Sequence, residues 1–187
     1  AGRLAIDFAS VPVTTMAISA HKIGGPKGVG ALVIRDHVDL EPFIRGGGQE
    51  RRRRAGTENV AAIAGFGAAA EAAMAELPSI SRIAALRDEF EARLNVAVPG
   101  IQIMAHCADR LANTSCFVIP GKTAESLLIK LDLAGIAISS GAACSSGKVG
   151  ASHVLAAMGY EPVVASNAIR VSLGHQTKQT DIDSLLA

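Results

Sequence analysis

Ser19-Ala20-His21-Lys22-Ile23-Gly24-Gly25-Pro26-Lys27-Gly28 is the stretch on which the fold of this chain turns. The β-branched, apolar residues 13–19 before and into it predict a buried strand, and residues 29–34 after it predict a second one. Lys22 therefore stands at a strand end, just ahead of a tight glycine turn, where a side chain can project from rigid backbone into a cleft. Lysine is the residue that condenses with an aldehyde cofactor once its amine is partly desolvated and deprotonated. Ser19 and His21 offer a hydroxyl and an imidazole to a phosphate, and Gly24, Gly25 and Gly28 let backbone approach closely. The competing reading is a surface lysine in a glycine-rich hairpin. A phosphate-binding P-loop is excluded, because no Gly-Lys-Ser/Thr follows a four-residue spacer.

Working toward the C-terminus, residues 36–50 read as loop ending in Gly46-Gly47-Gly48, followed by Gln49-Glu50-Arg51-Arg52-Arg53-Arg54-Ala55-Gly56-Thr57-Glu58-Asn59. Four successive arginines suggest nucleic acid, but the run is short and flanked by Glu50 and Glu58; a solvated turn is the usual case. A third reading places Thr57 at the start of a helix over residues 58–77, where free N–H groups and the helix dipole favour an anion such as phosphate. Some of the arginines would then serve a subunit contact. Pro78 stops that alanine-rich helix. Ile83, Leu86, Phe90 and Leu94 carry the next amphipathic helix. Residues 101–105 and 114–119 read as strands, and Thr123 caps a helix through Leu133. Residues 136–139 read as a short strand, residues 152–158 as helix, residues 168–173 as strand, and Thr180 opens a last helix. The order of elements suits the edge of one α/β domain over residues 1–77 and a smaller α+β domain over residues 78–187.

Two further positions draw attention. Ser139-Ser140-Gly141-Ala142-Ala143-Cys144-Ser145-Ser146-Gly147-Lys148-Val149-Gly150 surrounds one cysteine almost entirely with small residues. Such a loop builds no core and suits a thiol that must travel to a substrate; Lys148 is placed to favour the thiolate, the nucleophilic form. Cys116, between Ser115 and Phe117-Val118-Ile119, reads as a buried strand residue. Cys107 follows His106, but no partner pair at ligand spacing supports a metal site. In Ile169-Arg170-Val171-Ser172-Leu173-Gly174 an arginine lies inside an apolar strand, which is costly unless the charge is paired. It can grip a carboxylate with its fork, or it can form a structural salt bridge.

Bulk properties narrow the classes. The chain has 187 residues with 18 basic and 17 acidic side chains, so its net charge of +1 makes no case for nucleic acid or an anionic membrane. Aromatic residues are only 3%, which leaves no stacking platform for single strands. The longest weakly polar stretch, residues 60–70, is shorter than the roughly 20 residues of a spanning helix. No signal peptide is expected, and three cysteines without paired spacing argue against a disulfide scaffold and for a reducing cytoplasm. The start, Ala1-Gly2-Arg3-Leu4, lacks an initiator Met and reads like mid-domain sequence, as expected of a fragment.

Residues 19–28, the glycine–arginine segment 46–59, Asn113-Thr114, the cysteine loop 139–147 and Ile-Arg-Val-Ser-Leu-Gly 169–174 occur in one order. Together they resemble the cysteine desulfurases of the NifS/IscS kind, class V members of the fold-type-I pyridoxal-phosphate (PLP) enzymes, over essentially the whole chain. The resemblance implies that Lys22 carries the cofactor and then moves the substrate's proton, with His21 beside it. It implies that Ser19, Ala20, His21 and Lys22 form the cofactor turn, and that Thr57 reaches the phosphate of the neighbouring subunit in a homodimer. It further implies that Arg170 binds the carboxylate of L-cysteine, and that Cys144 takes the sulfur as a persulfide and releases alanine. A scaffold or carrier protein then accepts the sulfur for iron–sulfur or other thio-cofactor assembly. Family members also carry an Asp, a Gln and a His for the cofactor ring, upstream of the stretch matching Ala1. Two other outcomes follow from the same residues: a folded, dimerising remnant that does not hold PLP, or another class V activity such as a selenocysteine lyase.

Overall fold

The structure is a computed structural model that describes residues 2–140 and 151–187. The chain divides into two units, Ala1–Pro78 and Ser79–Ala187.

In the first unit, β1 (Thr15–Ser19) and β2 (Gly30–Ile34) pair antiparallel, with Thr15 opposite Ile34 and Ser19 opposite Gly30. The first strand departs from the buried strand expected over residues 13–19. Residues of β1 alternate between exposed and half-buried, because the described elements of this unit lay no second layer over it. Among the described residues of the unit, Ala20 and Ala55 are the buried apolar side chains. Arg35, just after β2, ties the preceding loop together: its Nε donates to the Val13 carbonyl at 2.8 Å and its Nη2 to the Val11 carbonyl at 2.6 Å. The same guanidinium lies 5.0 Å from the ring centre of Phe8, at cation–π distance.

Helix α1 (Val60–Glu76) starts two residues later than expected. Asn59 is its cap, its side-chain oxygen accepting from the Ala62 N–H at 3.2 Å. The helix packs on the lysine turn through residues that lack bulk. A Cβ added to Gly65 would lie 2.7 Å from Pro26 Cγ, and one added to Gly25 would lie 3.1 Å from Ala69 Cβ. The expectation of too short an apolar stretch needs correction: the helical run Val60–Ala97 is long and apolar enough, by length and composition, to cross a membrane. A 3-10 turn at Leu77–Ser79 interrupts that run, and its second part is charged on one face.

In the second unit a four-stranded antiparallel sheet has the order β3–β4–β6–β5, from β3 (Gln102–Ile103), β4 (Thr114–Val118), β5 (Ser139–Ser140) and β6 (Ile169–Ser172). Alternation along β4 and β6 sends successive side chains to opposite faces. One face buries Phe117, Ile169, Val171 and Leu173 against Ile83, Leu86, Phe90 and Leu94 of α2 (Ile80–Ala97). Ala124 of α3 (Ala124–Leu133) and Ile182 of α6 (Gln179–Leu186) close the same cluster. Phe90 and Phe117 meet with ring centres 5.8 Å apart and tilted by 56°. The opposite face carries Cys116 and Val118 against Met104, Leu155 of α4 (His153–Ala157), Ala165 of α5 (Pro162–Asn167) and Ala168. Helix α5 has no counterpart in the sequence reading: six residues are too few for a helical period, although Pro162 occupies the favoured first position.

Beside the Phe117 face, Glu91 of α2 is buried and gripped by the fork of Arg110, whose Nη1 donates at 2.7 Å and whose Nη2 donates to the second carboxylate oxygen. Burial pushes the Glu91 carboxyl up, but hydrogen bonding and the charges of Arg110 and Arg87 together outweigh it, so the carboxyl lies below its ordinary range.

Candidate active site

The lysine turn is a 3-10 helix, Ala20–Ile23, with Ser19 as its N-cap. Gly24 closes it in the left-handed region at φ 87°, where a residue with a Cβ is strained, and its N–H returns to the Ala20 carbonyl. Ala20 is fully buried, whereas Ser19, His21 and Lys22 are exposed. The Ser19 side chain makes no capping bond, so its hydroxyl is available to a ligand. One turn thus carries an amine, an imidazole and a hydroxyl on a backbone pinned by the buried Ala20 and by α1. That donor set fits the aldehyde and the phosphate of PLP, the amine for the former and the hydroxyl and imidazole for the latter.

Thr57 is exposed and lies three residues before the first residue of α1. The free N–H expected for an anion at that helix start is partly used by Asn59, so any phosphate contact of Thr57 comes from its own hydroxyl and N–H. Upstream of it, Glu50, Arg51 and Arg52 have φ of 45°, 56° and 64°. Three successive side-chain-bearing residues in the left-handed region cost roughly 1–2 kcal/mol each, and such strain is typical of functional segments.

Arg170 lies on β6 in the second unit, directly opposite Cys116 of β4 and Ser139 of β5. Its Nε is buried and has no acceptor among the described residues. Among the described residues the salt bridges of this unit, such as Arg93 with Asp183, do not involve it. Asn113 is buried, its Nδ2 donating to the Leu173 carbonyl at 3.5 Å, while its Oδ1 has no partner among the described residues. Cys116, expected to be buried, is a half-buried strand residue, and Cys107 is exposed in a turn. Cys144 and Lys148 lie outside the described residues. Among the described residues no group of His, Cys, Asp and Glu has the makings of a metal site.

The structure therefore brings Ser19, Ala20, His21 and Lys22 onto one turn and sets Arg170 in a sheet with an unpaired donor. Cys116 was read in the sequence as a buried strand residue, but its place beside Arg170 was not. Only the strand register puts the two side by side, and no local pattern encodes a partner 54 residues away.

A profile of the Aminotransferase class-V family matches residues 1–185, and the chain belongs to that family. It is 44% identical over 185 residues to a cysteine desulfurase of Cereibacter sphaeroides, covering 99% of this chain and 47% of that protein. The X-ray structure of a NifS-like protein from Rickettsia africae ESF-5 matches with a TM-score of 0.86 at 36% identity, over 99% of this chain and 49% of that one. SspA, solved in complex with cysteine, matches with a TM-score of 0.67 at 30% identity, over 91% of this chain and 47% of that one. The fold is accordingly the α/β fold of NifS-like proteins, and the chain spans about half the length of the curated relatives it matches.

Proposed function

We propose that this chain is the lysine- and cysteine-bearing half of a PLP-dependent cysteine desulfurase that converts L-cysteine to L-alanine. The observation that carries the reading is the turn at Lys22: an exposed amine, imidazole and uncommitted hydroxyl on four consecutive residues, in a chain 44% identical to a protein named cysteine desulfurase. When bound, PLP would supply an electron sink for negative charge developing at the substrate carbon that bears the amino group. Lys22 holds it covalently and then moves the proton at the substrate's α-carbon. Ser19 and His21 hold the phosphate, and Thr57 of a second subunit adds a donor in a homodimer. The orphan Nε of Arg170 and its terminal N–H groups take the substrate carboxylate.

The Cys144 thiolate then attacks the substrate's sulfur. An S–S bond forms as the Cβ–S bond breaks, the electron pair stays with Cβ, and a proton delivered there completes alanine. The persulfide left on Cys144 passes to an acceptor protein for iron–sulfur cluster or thio-cofactor assembly. Three cysteines without paired spacing suit a reducing cytoplasm.

The test is peptide mass mapping of full-length protein after L-cysteine treatment and alkylation. Cys144 gains one sulfur, and Cys144→Ser retains bound PLP but yields no persulfide, because a hydroxyl cannot form one. A persulfide on Cys107 or Cys116, or undiminished sulfur transfer by Cys144→Ser, overturns the mechanism.

A further inference from the structure

Arg170 occupies the middle of the sheet, with β4 on one side and β5 on the other. In an antiparallel pair, residues directly opposite point to the same face with Cβ atoms about 4.5–5.5 Å apart. Cys116 is directly opposite Arg170, so its thiol and the guanidinium share the face that carries Met104, Leu155 and Ala168. This slot decides whether Arg170 is free. A carboxylate or amide there would accept from the guanidinium, as Glu91 accepts from Arg110 on the other face. A thiol is a weak acceptor. Burial pushes the Cys116 thiol up, and the nearby Arg170 charge offsets this only in part, so the neutral form is favoured further. Neither Cys116 nor Ser139, the opposite residue on β5, satisfies the Nε. A buried Nε with no acceptor among the described residues is costly, and the cost is relieved when an anionic ligand arrives.

We infer that Cys116 is a positioning residue for Arg170: it fills the cross-strand slot with a side chain that packs but does not pair, and so keeps the guanidinium free for the carboxylate of the amino-acid substrate. The inference rests on the reading of Arg170 given above. Cys116 neither touches the substrate nor carries sulfur in this scheme; it sets affinity through its neighbour.

The experiment compares Cys116→Asp, Cys116→Val and Arg170→Ala in the full-length holoenzyme. Steady-state kinetics with L-cysteine and calorimetric binding of L-alanine provide the readouts. Asp introduces a charged acceptor and Val a group of similar size without one. Capture of the guanidinium by Asp raises KM and the Kd of L-alanine at least about tenfold above the Val variant, the scale of one charge-assisted hydrogen bond, with kcat within about twofold. If Cys116→Asp does not fold, Cys116→Asn takes its place, with an expected rise of roughly threefold over Val. Equal KM for the acceptor and Val variants, with Arg170→Ala weakening binding, overturns the role of Cys116 and leaves Arg170 as the carboxylate ligand. Unchanged binding by Arg170→Ala overturns both.

Discussion

Lys22 stands on a turn whose shape belongs to its neighbours. Ala20 anchors the turn from below, and Gly24 reverses the chain in a conformation that a side chain resists. Lys22 itself is exposed and bears none of that architecture. Removing its amine should therefore leave folding nearly untouched, within about 0.5 kcal/mol for an exposed position. In the full-length protein, Lys22→Ala is expected to lose both the visible absorbance of bound PLP and alanine formation while its Tm stays close to that of the parent stripped of PLP. An unchanged spectrum in the variant would remove Lys22 from the cofactor site. The residue scale is where the sequence spoke most clearly, since a lysine between a strand end and a glycine turn is a local pattern.

At the scale of elements, α2 and the segment leading into β4 are joined by Glu91 and Arg110. Both side chains are mostly withdrawn from solvent, at 9% and 18% exposure, so losing one partner strands the other. Arg110→Met leaves Glu91 buried without its ion-pair partner, with Arg87 alone opposing its charge, and an expected loss of roughly 2–3 kcal/mol at pH 7. The sign of the pH dependence follows from the lowered carboxyl of Glu91. The stabilisation is fully present above the ordinary value of 4.5 and is lost as pH falls through the lower folded-state value. Urea titrations of the parent and of Arg110→Met at pH 7 and pH 3 measure this. The gap between the two proteins narrows at pH 3; an undiminished gap would show that Arg110 acts by packing alone.

At the scale of the whole molecule, buried apolar side chains are distributed unevenly. Among the described residues, the second unit holds both hydrophobic clusters, whereas in the first the buried apolar residues are Ala20 and Ala55. Burial sets how much free energy a segment needs to open. Backbone amides of β4 and β6 are therefore expected to exchange with solvent deuterium roughly hundredfold more slowly than those of β1 and β2. Hydrogen-exchange mass spectrometry on the chain of residues 1–187 reads this directly. Equal protection of the hairpin would mean that its half-exposed alternation understates its stability.

What the sequence by itself determined is what neighbours along the chain can decide. Thr123 and Ser152 cap their helices through bonds to N–H groups three residues on, and the spacing of Ile83, Leu86, Phe90 and Leu94 makes one buried face of α2. The ordered motifs from Ser19 to Gly174 placed the chain in its family for the same reason: each is a short run of residue types suited to a strand end, a turn or a strand. Only the tertiary structure decided whether a residue so placed is covered, paired or left alone. Strand composition at residues 13–19 predicted burial, but burial depends on a covering layer, and β1 is half-exposed. Arg170 in an apolar strand left open both a salt bridge and a carboxylate site. The register that sets a thiol beside it, and no acceptor at its Nε, was fixed by pairing between strands far apart in sequence, because hydrogen-bond partners of that kind are chosen by the folded sheet and not by the local chain.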